Sequence, residues 1–299
     1  MAVRVLMFGR TGQVATEVRG LAERQGLPLL ALGREEADLA DPSACAAAIA
    51  ARAGATDVVI NAAAYTAVDR AESEPDLAHL VNAAAPAAMA RACAAAGLPF
   101  LHISTDYVFD GSGATPWTPD APTGPLGVYG HSKRAGEEAI RGAGGAHVIL
   151  RTSWVFSAHG SNFVRSMLRL GATRDSIDIV ADQTGGPTPA AAIAAALLQI
   201  GRAHVAGTGR SGTCHFAGAP DVTWAGFARA IFAQAGLPVA VRDIATADYP
   251  TPARRPANSR LDCASLAADY GIARPDWREG LADVIAALRA PVPPDSTQA

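Results

Sequence analysis

Short apolar runs alternate with alanine-rich segments along the first half of this chain. The apolar runs are predicted to form buried strands, at 3–8, 29–32, 58–60, 100–103 and 147–150. The alanine-rich segments are predicted to form helices, at 14–25, 43–52, 77–96 and 132–141. A strand followed by a helix, repeated, is typical of a parallel sheet covered by helices on both faces. We therefore predict an α/β fold, a Rossmann-type doubly wound parallel sheet.

The rhythm changes after about residue 155. Later helices are predicted at 162–170, 190–202, 224–235 and 278–288, with strands at 177–180 and 239–244. We interpret this part as a smaller, mixed α/β C-terminal substrate domain. The predicted division is 1–155 for the Rossmann domain and 156–299 for the substrate-binding region, with some later segments returning to the Rossmann domain. The tail from Pro291 is expected to be frayed.

Composition argues against several classes of function. The net charge is −3 and the longest basic run is Arg254-Arg255, so a nucleic-acid surface is not expected. No stretch approaches the roughly 18 consecutive apolar residues of a membrane span. The four cysteines are scattered without a Cys-x-x-Cys pair, which favours free thiols in a reducing cytosol over disulfides or a zinc site. We expect a cytoplasmic protein.

A turn of small residues follows the first predicted strand. Gly9-Arg10-Thr11-Gly12-Gln13-Val14-Ala15 has the spacing G-x-x-G-x-x-A and opens the first predicted helix. Small residues at these positions permit a tight turn and bring backbone N–H groups close to a pyrophosphate. A glycine-rich turn can also be only a turn, but its place between an N-terminal strand and a helix favours dinucleotide binding.

The end of the second predicted strand bears on which dinucleotide is bound. An acid there hydrogen-bonds the ribose 2′-hydroxyl, whereas an arginine accommodates a 2′-phosphate. The strand runs into Gly33-Arg34, and Arg34 indicates NADPH, with NADH possible. The alternative is a surface arginine paired with Glu35 and Glu36. Asp38-Leu39 resembles a patch that covers an adenine ring, and the small residues of Ala62-Ala63-Ala64-Tyr65-Thr66 would let the backbone lie against the cofactor.

Tyr129 and Lys133 are four residues apart, so on a helix they share one face. We expect the Lys133 ammonium to favour the phenolate and so to lower the pKa of Tyr129 towards neutrality. Thr105, at the end of the fourth predicted strand, could polarise a substrate carbonyl. A plain surface pair is the alternative, but this strand end lies where open α/β sheets bind ligands. The three residues are the equipment for reducing a ketone with a hydride donor.

Motifs along nearly the whole chain resemble a known family. They are Gly9-x-Thr-Gly12-Gln-Val, Asn61-Ala-Ala-Ala-Tyr-Thr-Ala-Val-Asp-Arg-Ala-Glu-Ser-Glu-Pro75, Ser104-Thr-Asp-Tyr-Val-Phe-Asp-Gly111, Tyr129-Gly-x-Ser-Lys133, Arg151-Thr-Ser-Trp-Val-Phe156, Asp182-Gln-x-Gly-x-Pro-Thr188 and Pro250-Thr-Pro-Ala-Arg-Arg-Pro-Ala-Asn-Ser-Arg260. The sequence is similar to the extended short-chain dehydrogenase/reductases, and within them to the dTDP-4-dehydrorhamnose reductase family. The last motifs are the more diagnostic, because they lie in the substrate half and do not follow from binding NADPH.

The resemblance implies NADPH-dependent reduction of the C4 ketone of dTDP-4-dehydro-L-rhamnose, the last step of dTDP-L-rhamnose synthesis. It implies that Tyr129 donates the proton, that Lys133 binds the nicotinamide ribose, and that Thr105 contacts the sugar. The cofactor-binding residues that the resemblance implies are Gly12, Gln13, Val14, Asp38, Leu39, Ala64, Tyr65, Thr66, Tyr129 and Lys133, and the residue patterns described above add Gly9, Thr11, Arg34, Ala62 and Ala63. The resemblance implies Thr105, Asp106 and Trp154 as substrate-binding residues; Arg255 and Asn258 are added because their Pro-rich loop suits contacts to a diphosphate or base, with plain surface roles left open for both.

Two other functions stay open at this point. One is a reductase or epimerase of another nucleotide 4-ketosugar. The other is a catalytically silent regulatory subunit of the methionine adenosyltransferase accessory type, which would not need the three catalytic residues. A homodimer is possible. Some family members hold magnesium through glutamates, but only Glu17 matches one of these positions, and we predict no metal.

Overall fold

The computed structural model describes residues 2–290, and the tail from Pro291 lies outside them. The strands are β1 (Val5–Phe8), β2 (Leu29–Leu32), β3 (Val58–Asn61), β4 (Phe100–Thr105), β5 (His147–Thr152), β6 (Val155–Phe156), β7 (Ser176–Val180), β8 (Thr184–Gly185), β9 (Thr188–Pro189), β10 (Gly212–His215), β11 (Val222–Thr223), β12 (Ala240–Ile244) and β13 (Asn258–Ser259). The α-helices are α1 (Gln13–Arg24), α2 (Pro42–Ala50), α3 (Val68–Ala71), α4 (Pro75–His79), α5 (Ala85–Ala96), α6 (Val128–Gly142), α7 (Phe163–Gly171), α8 (Ala190–Val205), α9 (Trp224–Ala235), α10 (Ala264–Tyr270) and α11 (Trp277–Arg289).

Six parallel strands form the central sheet, in the order β10-β5-β4-β3-β1-β2. The chain passes from β1 outward to β2 and then returns to the other side of β1 to form β3. This reversal is the topological switch point of an open α/β sheet, and ligands bind in the crevice outside the strand ends there. The predicted α/β doubly wound fold is confirmed.

Helices cover both faces of the sheet. On one face, Val14 and Val18 of α1 pack with Ile193 and Leu197 of α8 in one buried cluster. On the other face, Ile49 of α2 belongs to a second buried cluster, which α5 and α6 also join. The strand residues between them, such as β1 and β3, are buried on both faces, which explains their nearly continuous apolar sequences.

The C-terminal half contributes both to the central sheet and to a smaller unit. Helix α8 and strand β10 belong with the large sheet, although they follow residue 155. The smaller unit packs α7, α9 and α11 against the two-stranded sheet β7–β12, around buried Phe227 and Trp277. A single cut between residues 155 and 156 would therefore separate α8 and β10 from the sheet that they join. The domain boundary stays a prediction.

Helix α6 lies unusually close to its neighbours because it carries two glycines at the contact. A Cβ on Gly130 would lie 2.2 Å from the Tyr107 carbonyl oxygen, and one on Gly136 would lie 2.1 Å from the Asn82 carbonyl oxygen. Distances this short exclude any side chain at either position. The backbone of α6 therefore lies directly against the backbone at Tyr107 and at Asn82.

A helix and a strand are among the elements that differ from the sequence prediction. The helix predicted over 77–96 is interrupted by a π-helical turn at Leu80–Ala84, whose wider ring lets Asn82 turn its side chain inwards. Strand β10 was not predicted, because Gly-Thr-Cys-His has no apolar pattern. It becomes a strand by pairing with the exposed edge of β5.

Candidate active site

A cleft of about 750 Å³ opens at the carboxyl edge of the central sheet, over the switch point. The predicted residues that line it are Gly9, Thr11, Gly12, Gln13, Val14, Arg34, Asp38, Leu39, Ala62, Ala63, Ala64, Thr66, Thr105, Asp106, Tyr129, Lys133 and Trp154. Tyr65, Arg255 and Asn258 lie outside the lining. The structure therefore brings residues from 9 to 154 into a single site.

The turn after β1 is built for close backbone approach. Gly9 has a φ of 109°, and a Cβ there would lie 3.2 Å from the Ala62 carbonyl carbon. Only glycine adopts this conformation without strain. Gly12 is the N-cap of α1, and residues 9–14 line the cleft, so the N-terminus of this helix lies where it could bind a pyrophosphate. Gln13 also accepts hydrogen bonds from Ser157 (3.2 Å) and Asn162 (3.0 Å), and so ties this turn to the C-terminal half.

Two arginines lie near the end of β2: Arg34, which was predicted, and Arg10, which comes from the turn after β1. Arg34 points outwards with 87% of its side chain exposed, and its Nε lies 4.0 Å from an Asp38 carboxylate oxygen. Arg10, from the turn after β1, donates to the Ala31 carbonyl (3.1 Å) and pairs with Glu36. Glu36 in turn accepts a hydrogen bond from the Gly33 N–H (2.9 Å). The cleft therefore ends in an arginine–glutamate pair that the sequence pattern did not single out.

Asn82 holds the loop after β3. Its side-chain oxygen accepts from the Tyr65 N–H (2.9 Å), and its Nδ2 donates to the Tyr65 carbonyl (3.0 Å) and to Ser132 Oγ on α6 (3.0 Å). The Tyr65 hydroxyl donates to Glu74 (2.6 Å), which draws the ring out of the cleft. Tyr65 therefore does not line the cleft, although its neighbours Ala64 and Thr66 do.

Thr105, Tyr129 and Lys133 converge at the centre of the cleft. Helix α6 begins at Val128, so Tyr129 and Lys133 both lie on it and face the end of β4. The Tyr129 ring packs edge-on against Tyr107, with 5.4 Å between ring centroids. Thr105 ends β4, and its hydroxyl donates to Asp106 (3.1 Å). A hydroxyl, a phenol and an amine therefore meet where a carbonyl could be reduced.

The expected lowering of the Tyr129 pKa by Lys133 is wrong for this structure. Burial raises the pKa of Tyr129 well above its ordinary value, and the Thr105 hydroxyl only partly opposes that shift. The Lys133 amine is turned away: Nζ donates to the Ile103 carbonyl (2.7 Å) and lies 3.0 Å from His102 Nε2. Burial lowers the pKa of Lys133 to about 8, although Glu137 opposes the change.

Asp106 and Trp154 also line the cleft. Asp106 is buried, and its Oδ2 has no hydrogen-bond partner within residues 2–290. Burial raises its pKa to about 6, against the nearby hydroxyls of Ser259 and Thr105. Trp154 has a φ of 50°, which is strained for a residue other than glycine, and its ring stacks on Trp224 at 3.5 Å.

Arg255 and Asn258 are engaged with protein groups. Arg255 Nη2 pairs with Asp69 (2.7 Å), while its buried Nη1 has no partner within residues 2–290. Asn258 is buried; it donates to the carbonyls of Ser112 (3.2 Å) and Thr115 (2.9 Å) and accepts from the Arg260 N–H (3.2 Å). The Asn258 amide therefore fastens one loop to another here.

A buried ion pair, Glu137–Arg151, packs next to the site and was not predicted from the sequence. Glu137 accepts from Arg151 Nε (2.8 Å) and Nη2 (2.6 Å) and from Ser104 Oγ (2.6 Å). Arg151 is fully buried and lies 5.0 Å from the centre of the Phe109 ring. The pair joins α6, β4 and β5 directly behind Thr105 and Lys133. Its sequence signal was a glutamate four residues beyond the lysine of the Tyr-x-x-x-Lys motif.

Metal-ligating side chains do not cluster within residues 2–290. In that part of the chain there is no group of three or more His, Cys, Asp or Glu side chains that could hold a metal ion. Glu17 lies 3.7 Å from His159 Nε2. Among the same residues, no helix has the length and apolar character needed to cross a membrane.

Comparison with protein families matches residues 3–290 to the model described as RmlD substrate binding domain. A dTDP-4-dehydrorhamnose reductase of Sinorhizobium fredii is 44% identical and covers 96% of this chain and 98% of its own length. That of Escherichia coli K12 is 38% identical, over 93% of this chain and 96% of its own.

Solved structures agree in fold. A dTDP-4-dehydrorhamnose reductase of Bacillus anthracis in complex with NADP superposes with a TM-score of 0.89, at 30% identity, over 96% of this chain and all of that one. The orthologue from Clostridium acetobutylicum gives 0.89 at 31% identity, with the same coverage. A UDP-glucose 4-epimerase of Thermus thermophilus in complex with NAD shares the fold, with a TM-score of 0.78 at 20% identity over 97% of this chain and all of that one.

Proposed function

The chain belongs to the RmlD substrate binding domain family of dTDP-4-dehydrorhamnose reductases, and we propose that it reduces the C4 ketone of dTDP-4-dehydro-L-rhamnose with NADPH to give dTDP-L-rhamnose. It is an NAD(P)H-dependent oxidoreductase. The reaction is the last step of dTDP-rhamnose synthesis.

One observation carries the proposal: Thr105, Tyr129 and Lys133 line the same cleft as the Gly9–Gly12 turn. A silent regulatory subunit would not need this convergence. Because Gly9 lacks a Cβ, the turn after β1 packs directly against the Ala62 backbone, and both loops line the cleft with small residues that suit a dinucleotide.

The chain's residues would act on the ketone as follows. Bound NADPH supplies the hydride. As negative charge develops on the carbonyl oxygen, the Thr105 hydroxyl turns its proton from Asp106 to that oxygen and Tyr129 delivers a proton. Burial keeps Tyr129 protonated, which is the form that a proton donor needs. Asp106 and Trp154 would hold the sugar, and Arg255 would reach the diphosphate with its unpartnered Nη1 once the substrate is present.

Two arginines support NADPH as the preferred cofactor. Arg34 is free to reach a 2′-phosphate because its side chain is exposed, and Arg10 already lies over the end of β2. A 2′-phosphate would displace Glu36 from Arg10, whereas a 2′-hydroxyl could donate to the Glu36 carboxylate. NADH use is therefore possible.

The direct test follows the absorbance of the reduced nicotinamide with purified protein, NADPH or NADH, and dTDP-4-dehydro-L-rhamnose made in situ by its epimerase. We expect NADPH oxidation with dTDP-L-rhamnose as the product, lowered by about 10² or more in Tyr129→Phe and retained in Tyr249→Phe. Tyr249 is a suitable control because 60% of it is exposed.

Failure of turnover in protein that binds NADPH would contradict the proposal. Turnover of a different nucleotide 4-ketosugar would then identify a related reductase or epimerase. No turnover of any such sugar would favour the silent subunit.

We also propose a cytoplasmic location and keep the homodimer as a prediction. The four cysteines are free and buried, which supports a reducing compartment. Sedimentation velocity would distinguish monomer from dimer.

A further inference from the structure

The Gln13 side chain joins the nucleotide turn to the segment that leads into α7. Its Oε1 lies 3.0 Å from Asn162 Nδ2 and 3.2 Å from Ser157 Oγ. A Cβ on Gly160 would lie 3.4 Å from Gln13 Cγ, so the stem of the glutamine also packs against this segment. Residues 157–162 therefore close around the side chain of a residue whose backbone belongs to the glycine-rich turn.

The direction of the hydrogen bond between Gln13 and Asn162 is fixed by the helix cap. The Arg165 N–H can only donate, and it donates to Asn162 Oδ1 (3.1 Å), as expected of an N-cap side chain. The NH₂ group of Asn162 is therefore the end that faces Gln13, and Gln13 accepts with its oxygen. A single amide, that of Asn162, thus caps α7 and binds the nucleotide turn.

Aromatic contacts lead from the start of α7 to the cleft. Phe163, the residue after Asn162, packs against Trp224 of α9 with 4.6 Å between ring centroids. Trp224 in turn stacks on Trp154 at 3.5 Å, and Trp154 lines the cleft. The position of α7 relative to the nucleotide turn therefore bears on the ring that forms the cleft wall.

Trp154 depends on this support because its backbone is strained. Its φ of 50° is a conformation that persists only where surrounding contacts hold it. The Trp224 ring lies against one part of the indole, and a Cβ on Gly185 would lie 2.8 Å from Trp154 Cε2. If α7 were held less firmly, Trp224 could shift and Trp154 could relax away from its place in the cleft.

We propose that Gln13 is a positioning residue for the nucleotide sugar: through Asn162 and the aromatic contacts of α7, its side chain holds Trp154 in place. The proposal rests on the proposed function, in which Trp154 would hold the sugar. A residue of the dinucleotide motif therefore serves the other ligand with its side chain, while its backbone remains available to the pyrophosphate.

Gln13→Met tests this role, because methionine is also unbranched but has only a weak acceptor. Leaving the partly buried NH₂ group of Asn162 without its partner should raise the KM for the nucleotide sugar about 5- to 30-fold. The Kd for NADPH should change by less than about twofold, because the backbone N–H groups of the turn are unchanged. Gln25→Met is the matched control: it removes the same amide at the other end of α1, where Gln25 pairs with Arg202, and should leave both constants unchanged.

A double-mutant cycle shows whether Gln13 acts through Asn162. Asn162→Ser keeps a side-chain oxygen that can cap α7 but lacks the NH₂ group that binds Gln13. If the two residues act as one contact, the double variant should raise the KM for the sugar no more than the larger single effect. Additive effects would overturn the proposal. So would an unchanged sugar KM in Gln13→Met, or an NADPH Kd that rises as much as that KM.

The indole N–H signals of the four tryptophans give a readout that does not depend on turnover. We would record ¹H–¹⁵N spectra of the full-length protein labelled with ¹⁵N-tryptophan, without ligand, and assign the stacked pair from Trp154→Phe and Trp224→Phe. In Gln13→Met the signals of both rings should move, because their support is loosened. Trp117 is the internal control, since its indole N–H donates to the Asn258 carbonyl (3.2 Å) outside these contacts.

Asn162→Ser breaks the same contact and gives the same spectrum if Gln13→Met does not fold. Unmoved Trp154 and Trp224 signals in a folded variant that has lost the contact would overturn the proposal. Because these spectra need no substrate, failure of the proposed reaction and failure of this inference are distinguishable.

Discussion

Replacing Asp106 by asparagine should make the protein more stable at neutral pH and less active. Asp106 is only 2% exposed, and burial raises its pKa from 3.8 to about 6. Between these two values the native carboxyl keeps a proton that the unfolded chain has lost, so the stability of the wild type falls as pH rises through this window. At about 1.4 kcal/mol for each pKa unit, the loss is about 3 kcal/mol.

Urea unfolding at about pH 4 and about pH 7.5 measures this effect. The gain in unfolding free energy from Asp106→Asn should be about 2.5 kcal/mol larger at the higher pH, because at about pH 4 the unfolded chain has already lost part of its proton; comparing two pH values cancels any difference in amide packing. Asp110→Asn is the matched control in the same segment. Asp110 is exposed, and its hydrogen bond from the Ser112 N–H lowers its pKa, so this variant should gain nothing at the higher pH.

A gain that is equal at both pH values would refute the reasoning. It would mean that Asp106 is charged in the native state at little cost. The KM for the nucleotide sugar should rise in the same variant, since we propose that Asp106 contacts the sugar.

Three further predictions concern the cleft and its support. Tyr129→Phe should lower kcat by about 10² or more with little change in NADPH affinity, as steady-state kinetics and a binding titration would show; near-normal turnover would remove it from its role. Arg10→Ala and Arg34→Ala should each raise the KM for NADPH more than that for NADH, and equal losses for the two cofactors would mean that neither arginine reads the 2′-phosphate. Arg151→Ala should cost about 3–5 kcal/mol in urea unfolding because it leaves a buried carboxylate unpaired, whereas Arg134→Ala on the surface of α6 should cost at most about 1 kcal/mol.

The sequence alone predicted those elements whose signal lies in a few neighbouring residues. Buried parallel strands such as β1 and β3 have nearly continuous apolar sequences, and the turn after β1 has a glycine, Gly9, where the backbone requires one. The place of Thr105 beside Tyr129 also followed, since both were assigned to strand and helix ends that meet at one sheet edge.

The sequence could not predict the role of a side chain when that role depends on its hydrogen-bond or ion-pair partner in the folded protein. Arg34 and Arg10 are both near the end of β2, but only the folded chain shows that Arg10 reaches over it while Arg34 is exposed. Lys133 was expected to face Tyr129, whereas the carbonyl of Ile103 and the ring of His102 hold its amine. Asn258 has an amide suited to a ligand, yet two loop carbonyls occupy it.

The seating of α6 on Gly130 and Gly136 limits how this enzyme can be redesigned. Backbone lies against backbone at both points, so there is no side-chain volume there to exchange and no substitution that would slide the helix by a fraction of an ångström. These backbone contacts therefore fix the position of Tyr129 relative to the sheet, whichever substrate is bound. A library intended to accept a different ketone should leave α6 unchanged and vary the cleft wall around Trp154, because changes there can move the ketone relative to Tyr129.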